Sequence, residues 1–342
     1  MTCVTVAISE DAVAWDAYVA SHPHATPYHQ HRWLGLLTKV FSHRLIPLAA
    51  TRDGSYAGVF PLVLMNSRIF GRFLVSLPFV NYGGLLTDSE EVDRSLWLQA
   101  TALAKEVKAN FLEARHVQSH SFVALRKQHK VTMILDLVAS IDGQWQAFDA
   151  KLRNQIRKAQ RSGLTVRMGK AAEIRGFYEV FARNMRDLGT PVYSRRFFEE
   201  ILSSFPETST VFSVYSQQTI IASGIALSYR DTVQVPWAAS HRGYRQMCPN
   251  NLLYWEIIQY AIKEGFRRFD FGRSTPGEGT YKFKEQWGAR PVPLSWEYWT
   301  QAGTLPDISP KNPKYAWVIS LRKRLPVPVT SWIGPSIVRN IP

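Results

Sequence analysis

The sequence has few cysteines and no long apolar run. Cys3 and Cys248 are too few for a disulfide framework or a zinc cluster, which is typical of a reducing compartment. The longest apolar run, residues 56–65, is well short of the ~18 residues that a membrane-spanning helix needs. The N-terminal residues show no basic region followed by an apolar one, and the acidic Glu10 and Asp11 come early, so we expect no signal peptide. These absences predict a cytoplasmic protein.

Acidic residues are also scarce relative to basic ones. The chain has 41 lysines and arginines against 27 aspartates and glutamates, a net charge of +14. Such an excess favours anionic partners, such as nucleotide-linked substrates, RNA or a membrane surface, although a basic and merely soluble surface is the alternative. The length of 342 residues indicates two domains. A hydrophobic content of 46% excludes a disordered chain.

Motifs for covalent or metal-dependent catalysis are missing as well. The sequence contains no GxSxG nucleophile elbow, so we expect no covalent acyl-enzyme. Four histidines lie close together in a proline-containing segment, but their spacing matches no compact zinc motif. These are His22, His24, His29 and His31. We therefore predict no metal site.

Two halves of the chain repeat one pattern. In each half two predicted strands flank a short polar turn, and a helix and a further strand follow. The ranges are 45–51, 57–65, 92–108 and 111–117, and then 210–215, 220–229, 251–264 and 268–271. The order predicts an α/β fold with a mixed, mostly antiparallel sheet flanked by helices in each half. We expect domains at 1–140 and 141–303, followed by a basic tail rich in proline and aromatic residues at 304–342.

The most informative segment is residues 250–299. An amphipathic helix ends near Gly265, and a short strand, 269–271, follows it. Next comes a glycine-rich turn, 272–279, and then the sequence GTYKFK, whose two lysines would share one side if the segment were extended. Cationic groups beside flexible backbone are typical of sites that hold phosphate-bearing molecules.

This segment resembles the C-terminal part of the Fem family, whose members add amino acids to peptidoglycan precursors. The sequences DFGRS at Asp270–Ser274 and GTYKFK at Gly279–Lys284 carry the resemblance, which extends over about residues 20–300. It is greatest to the subgroup associated with PEP-CTERM and exosortase systems. The resemblance implies two tandem GNAT-like domains, the second of them BioF-like or Fem-like, and acyl or aminoacyl transfer.

A predicted helix over residues 151–163 carries three arginines at four-residue spacing and no acid to pair with them. A bound polyanion would offset their repulsion, and a solvated basic face is the alternative. Fem-like proteins carry a similar run, which Asn154, Arg157 and Lys158 match. Asp270 could be a catalytic base or could hold the glycine-rich turn, and the sequence leaves both interpretations open.

The candidate site residues follow from these two segments. We expect the catalytic residues to be Lys284, Arg273 and Tyr281. We expect the substrate or its phosphate to be bound by Lys282, Asn154, Arg157, Lys158, Asn251 and Ser274. Asn251 is included because it lies at a helix N-terminus, where free backbone N–H groups favour anions.

The acyl donor is left open between acyl-CoA and aminoacyl-tRNA, and no tightly bound cofactor is expected. Residues 241–249 occupy the place of the GNAT pyrophosphate loop but have few glycines, and Pro249 lacks an N–H. The chain also lacks the long charged coiled-coil arm that some Fem proteins use for tRNA docking. The sequence therefore favours neither donor.

The sequence thus predicts a transferase that moves an activated acyl or aminoacyl group to an amine. The acceptor would be an anionic small molecule, or a lipid-linked or sugar-nucleotide precursor of the cell envelope or of an exopolysaccharide. Alternatives are an acyl-CoA-dependent N-acyltransferase and a non-catalytic basic scaffold that binds RNA or a membrane-bound complex. No DNA partner is expected. In the tail, aromatic residues beside Arg322, Lys323 and Arg324 suit peripheral contact with the inner face of the membrane, and docking on the second domain is the alternative.

Overall fold

The computed structural model describes residues 4–67, 71–305, 320 and 322–341. The strands are β1 (Val4–Ile8), β2 (Arg44–Arg52), β3 (Ser55–Ser67), β4 (Gly71–Ser76), β5 (Leu86–Thr87), β6 (Phe111–His116), β7 (Leu125–Asp136), β8 (Leu164–Gly169), β9 (Ser209–Ser216), β10 (Thr219–Tyr229), β11 (Thr232–Ser240), β12 (Arg268–Ser274) and β13 (Arg290–Thr300). The helices are α1 (Ala12–Ser21), α2 (Arg32–Phe41), α3 (Glu90–Glu106), α4 (Ile141–Ala147), α5 (Ala150–Arg161), α6 (Ile174–Leu188), α7 (Arg195–Ser204), α8 (Pro249–Lys263), α9 (Gly279–Glu285) and α10 (Val327–Val338). Short 3₁₀ helices lie at Pro27–His29, Ala171–Glu173 and Arg242–Met247.

The chain divides into two compact units. The first comprises Met1–Lys130, Pro293–Ser309 and Arg339–Pro342, and the second comprises Val131–Val292 and Pro310–Val338. Each unit has a mixed sheet with helices packed against it, in agreement with the predicted fold class.

The two units have the same strand order. In the first unit the order is β1-β2-β3-β4-β6-β13, and in the second it is β8-β9-β10-β11-β12-β7. In each unit the fourth and fifth strands are parallel, as β4 with β6 and β11 with β12, because a helix connects them. The other pairs within each unit are antiparallel. The repeat predicted from the sequence pattern is thus confirmed at the level of topology.

The helix after the fourth strand packs on its own sheet in each unit. Helix α3 begins with acidic residues, which favour a helix N-terminus, and buries Val92, Leu96, Ala100 and Ala104 at four-residue spacing. Helix α8 buries the stripe Leu253, Ile257 and Ala261. It is followed by Gly265, whose φ of 78° is the left-handed conformation that glycine adopts at helix ends.

The boundaries differ from those predicted. The sequence places the domain boundary at residue 140 and gives residues up to 303 to the second domain, whereas the units divide at Lys130 and the first unit includes Pro293–Ser309. The reason is that β13 pairs with β6 over six residue pairs, from Ser295–His116 to Thr300–Phe111. Such long-range pairing leaves no local periodicity in the sequence.

The tail is only partly described. Helix α10 groups with the second unit. The aromatic and apolar tail residues 315, 317–319 and 321, on which membrane contact was predicted, lie outside the described residues. Within the described part of the chain, no helix is both long and apolar enough to cross a membrane.

Candidate functional site

The second unit has a fork in its sheet. The parallel strands β11 and β12 pair only from Thr232–Arg268 to Gln234–Asp270, although both strands continue beyond this point. Each strand pairs on its other side, with β10 and β7 respectively. The facing edges beyond Gln234 and Asp270 therefore carry backbone groups that do not pair with each other. An extended ligand chain can pair with such edges as an added strand does.

Asp270 lies at the base of this fork and is fully buried. Its carboxylate accepts hydrogen bonds from Thr132 Oγ1 at 2.5 Å, from Gln234 Nε2 at 2.5 Å and from Gly272 N at 2.7 Å. Gly272 has a φ of 75° at a bulge in β12, a conformation that favours glycine. These contacts favour the structural interpretation of Asp270, in which it holds the two strands and the glycine turn together.

Lys284 projects from α9 onto the end of β12. It is 8% exposed, and its ammonium donates to Gly272 O at 2.8 Å and to Arg273 O at 3.0 Å. Burial lowers the pKa of Lys284 from 10.5 to about 8, with Asp270 raising it and Arg273 lowering it further. Lys284 is thus a buried cation beside the fork whose protonation changes near neutral pH.

The two lysines of the GTYKFK segment point in different directions because the segment is helical. The sequence suggested that Lys282 and Lys284 would share one side of an extended GTYKFK segment, but residues 279–285 form α9. Residues two apart on a helix point in different directions, so Lys282 is exposed whereas Lys284 is buried. Arg273 is exposed and Tyr281 is half-buried.

Ser274 ends β12 as a buried residue. It is 4% exposed, and its Oγ has no hydrogen-bond partner within the described part of the chain. A buried hydroxyl without a partner is unfavourable, so Ser274 is a candidate for a ligand contact.

Helix α5 presents the predicted basic residues to solvent. Asp149 caps its first turn through Leu152 N, and Leu152, Ile156 and Ala159 are buried. Asn154, Arg157 and Lys158 are exposed. The Arg157 guanidinium lies 5.3 Å from the ring centre of Trp145, which belongs to an aromatic cluster. That cluster continues through Trp255, Phe148 and Trp287 to Phe283 of α9.

The N-terminus of α8 is joined to α5. Asn251 is 7% exposed, and its Nδ2 donates to Gln155 Oε1 at 3.0 Å. In the preceding segment, Gly243 N is bonded to His241 Nδ1, and Tyr244 N and Cys248 N are bonded to carbonyls within the segment. These backbone N–H groups are thus engaged, so they are not free to bind a pyrophosphate as an open glycine loop would.

Sequence reasoning missed a buried cluster in the first unit. His116, His120 and Glu297 have side-chain ligand atoms within 4.8 Å of one another. His120 donates from Nδ1 to Glu297 Oε2 at 2.8 Å, and the backbone N–H of Leu85 donates to His116 Nδ1 at 3.3 Å. Because Nδ1 of a neutral His116 is an acceptor, its proton resides on Nε2, the atom that faces Glu297 at 3.5 Å.

With Nδ1 engaged by the Leu85 N–H, His116 would bind a metal through Nε2 without the Nδ1–H donor that commonly orients a ligating histidine. Burial lowers the pKa of His116 well below its usual value. Although burial also lowers the pKa of His120, the hydrogen bond and charge of Glu297 raise it above its usual value. The cluster therefore joins the segment after β6 to β13 by charged hydrogen bonds. The His-x₃-His spacing of 116 and 120 was the one local signal for it.

Two of the four histidines weighed as metal ligands bond the backbone. His22 Nε2 lies 2.9 Å from Thr87 O, and His29 Nδ1 accepts from Thr26 N at 3.0 Å. Burial lowers the pKa of His29 to about 4, so this ring is neutral. The predicted absence of a metal stays a prediction.

Comparisons with known proteins agree with this fold. Residues 146–285 match the acetyltransferase (GNAT) domain family. This range contains the fork, α5, α8 and Lys284. No curated protein sequence matches the chain significantly.

Among solved structures, FemX is similar with a TM-score of 0.65 and 16% identity, over 84% of this chain and 96% of that one. A tandem GNAT protein from the clavulanic acid biosynthesis pathway has a TM-score of 0.56 at 13% identity, over 90% and 100% of the two chains. L-PGS from Bacillus licheniformis has a TM-score of 0.54 at 13% identity, over 96% of each chain. These likenesses establish a tandem GNAT-like fold, as the sequence predicted.

Proposed function

We propose that the second unit transfers an activated acyl or aminoacyl group to an amine at the fork between β11 and β12. The amine nitrogen attacks the ester or thioester carbonyl of the donor and forms the C–N bond. The bond to the donor's oxygen or sulfur breaks, and the amine proton passes to the leaving group. Lys284 beside an open sheet edge, within the GNAT-matching range, is the observation that carries this proposal.

In this proposal the protein contributes positioning and positive charge. The Lys284 ammonium uses two of its three N–H groups on the carbonyls of Gly272 and Arg273. The third N–H, together with the exposed Arg273 guanidinium, stabilises negative charge on the reacting carbonyl or on a phosphate of the substrate. Tyr281 and Ser274 contact the substrate at the same edge. Asp270 fixes the geometry of this edge.

The proposed acceptor is an amine on an anionic precursor of the cell envelope or of an exopolysaccharide, either lipid-linked or a sugar nucleotide. The exposed Asn154, Arg157 and Lys158 of α5, together with Lys282, bind its charged part, and Asn251 positions α5 against α8. The resemblance of DFGRS and GTYKFK to the Fem family supports this acceptor class. It also supports a relation to the exosortase-associated subgroup.

The donor is aminoacyl-tRNA or, as the second candidate, acyl-CoA. The engaged N–H groups of residues 243, 244 and 248 favour a donor that is not held by a glycine-rich pyrophosphate loop. The acyl-CoA candidate is supported by the GNAT match of residues 146–285.

The test offers both donors to the purified full chain. Labelled aminoacyl-tRNA or acetyl-CoA is mixed with amino-sugar nucleotides and with lipid-linked amino sugars, and products are identified by mass spectrometry. We expect a product with aminoacyl-tRNA. Lys284→Ala should strongly reduce the rate of product formation. Lys263→Ala, which removes an exposed lysine at the far end of α8, should leave that rate unchanged. A product formed only from acetyl-CoA would identify acyl-CoA as the donor. RNA binding without any product would identify a scaffold and reject the enzyme.

A further inference from the structure

Helix α10 has an unusual composition for a helix at a protein surface. Its twelve residues, VPVTSWIGPSIV, include no charged side chain. A surface helix of a globular protein normally carries charged residues on its outer face. The outer face of α10 therefore needs an explanation.

The inner face of α10 is fixed on the second unit. Thr330, Gly334 and Val338 are buried at four-residue spacing. Gly334 lies so close to Val192 that a Cβ at this position would be 2.8 Å from Val192 O. Just before the helix, Leu325 O accepts a hydrogen bond from Arg186 Nη1 at 3.2 Å. The helix is thus held in one orientation, and the orientation of its outer face is defined.

The outer face is exposed and mostly apolar, with Ser336 as a polar residue one turn after Trp332. Trp332 is 81% exposed, Val329 is 40% exposed and Pro328 is exposed. Single exposed apolar residues are ordinary, but adjacent ones around a tryptophan mark a contact surface. Lys323 and Arg324, which are both exposed, come directly before this face.

We propose that the outer face of α10, with Pro328, Val329 and Trp332, docks on an anionic phospholipid surface together with Lys323 and Arg324, which precede the helix. An indole ring suits the boundary between headgroups and acyl chains, and a helix without charge loses no ionic hydration on entering it. The adjacent cations suit acidic headgroups, as does the net charge of +14. This inference concerns where the protein works and does not depend on its catalytic activity.

The test measures co-sedimentation of the full chain with vesicles. One set contains phosphatidylcholine alone, and the other contains about one-third phosphatidylglycerol, which supplies the negative surface potential. We expect binding to the anionic set only, and weaker binding as salt increases. Inorganic phosphate at millimolar concentration should not displace the protein, because the lipid surface and not a free phosphate is the ligand.

Matched variants distinguish binding through this face from nonspecific binding to vesicles. Trp332→Ala should weaken vesicle binding by about tenfold because it removes the main apolar contact. Leu98→Ala, which removes a 67% exposed leucine of α3, should leave binding unchanged. Lys323→Glu with Arg324→Glu should weaken binding by at least about tenfold, whereas Arg195→Glu with Arg196→Glu on α7 should have a much smaller effect.

Each variant alters an exposed side chain, so its melting temperature should match that of the parent chain. Equal loss of binding in Trp332→Ala and Leu98→Ala would overturn the proposal. Equal binding to neutral and anionic vesicles, or no binding of the parent chain, would overturn it as well.

Discussion

Lys284 combines two properties that are seldom found together in a structural lysine. It is buried, with its charge satisfied by the backbone carbonyls of Gly272 and Arg273, and it has a pKa of about 8. The desolvation that lowers this pKa destabilises the folded protein, because the ammonium is less favourable in the fold than in water. Retaining such a residue is understandable where the charge serves a reaction.

The first prediction concerns the pH dependence of transfer. Since the charged form of Lys284 stabilises the reacting carbonyl, kcat/KM should fall as pH increases through about 8. Lys284→Arg keeps its charge in this range and should move the alkaline fall to higher pH. Lys284→Met should lose about 10- to 100-fold in rate at neutral pH, the equivalent of 1.5–3 kcal/mol. An alkaline fall that is identical in Lys284→Arg would assign the titration to another group.

Stability provides a second readout of the same residue. Between pH 8 and 10.5 the unfolded chain binds more protons at Lys284 than the folded chain does, so Lys284 contributes an increase with pH to the free energy of unfolding. Tyrosines such as Tyr254, whose pKa is raised by burial, contribute in the opposite direction near the upper end of this window. Lys284→Met should remove that contribution, so the parent chain should gain stability relative to the variant between pH 8 and 10.5, which denaturant titrations of both proteins can measure. The readout does not require the substrate to be known.

At the scale of elements, local sequence signals were reliable where periodicity and turn chemistry agreed. The hairpin of β2 and β3 turns at Asp53 and Gly54, which both have positive φ, as the Asp-Gly dipeptide predicts. The helix predicted over residues 151–163 is α5 at Ala150–Arg161. These elements are fixed by interactions between neighbours in the sequence, so their pattern is visible without the fold.

The candidate site was harder to predict for a physical reason. The positions of Lys284, Ser274 and Asp270 depend on whether residues 279–285 are helical, and a short segment with two glycines before it carries little periodic signal. The donors to the Asp270 carboxylate, Thr132 and Gln234, come from β7 and β11. Only the tertiary structure brings these strands beside β12.

The second prediction tests the basic face of α5. If Arg157 and Lys158 bind the charged part of a substrate, reversing both to glutamate should increase KM by about tenfold or more at low salt and reduce its salt dependence. Arg195→Glu with Arg196→Glu, on α7 of the same unit, makes the same change in net charge and serves as the control. Equal KM values in the two double variants would identify α5 as a solvated face.

At the scale of the whole molecule, the same strand order occurs twice, and the two units differ in where the sixth strand lies in the sequence. The sixth strand of the second unit, β7, comes before its helices, whereas the sixth strand of the first unit, β13, comes after all the strands of the second unit. The first unit therefore completes its sheet with residues almost 190 positions beyond β6, counted from the pairing of Phe111 and Thr300. Glu297, which anchors His120, lies on this late strand.

The third prediction follows from this late strand. A chain that ends at residue 305 keeps β13, and a chain that ends at 292 lacks most of it, while both lack α10. In the shorter chain β6 keeps β4 but loses β13 as a partner, Arg115 loses the Trp296 ring that lies against its guanidinium, and His120 loses its hydrogen bonds to Glu297. An edge strand without its partner opens more readily, so hydrogen exchange at residues 111–116 should be fast in the shorter chain and slow in the longer one. Amides of β9 and β10 should be protected in both chains, because their pairing lies entirely within the second unit. Equal protection of residues 111–116 in the two chains would show that the first unit completes its fold without the late strand.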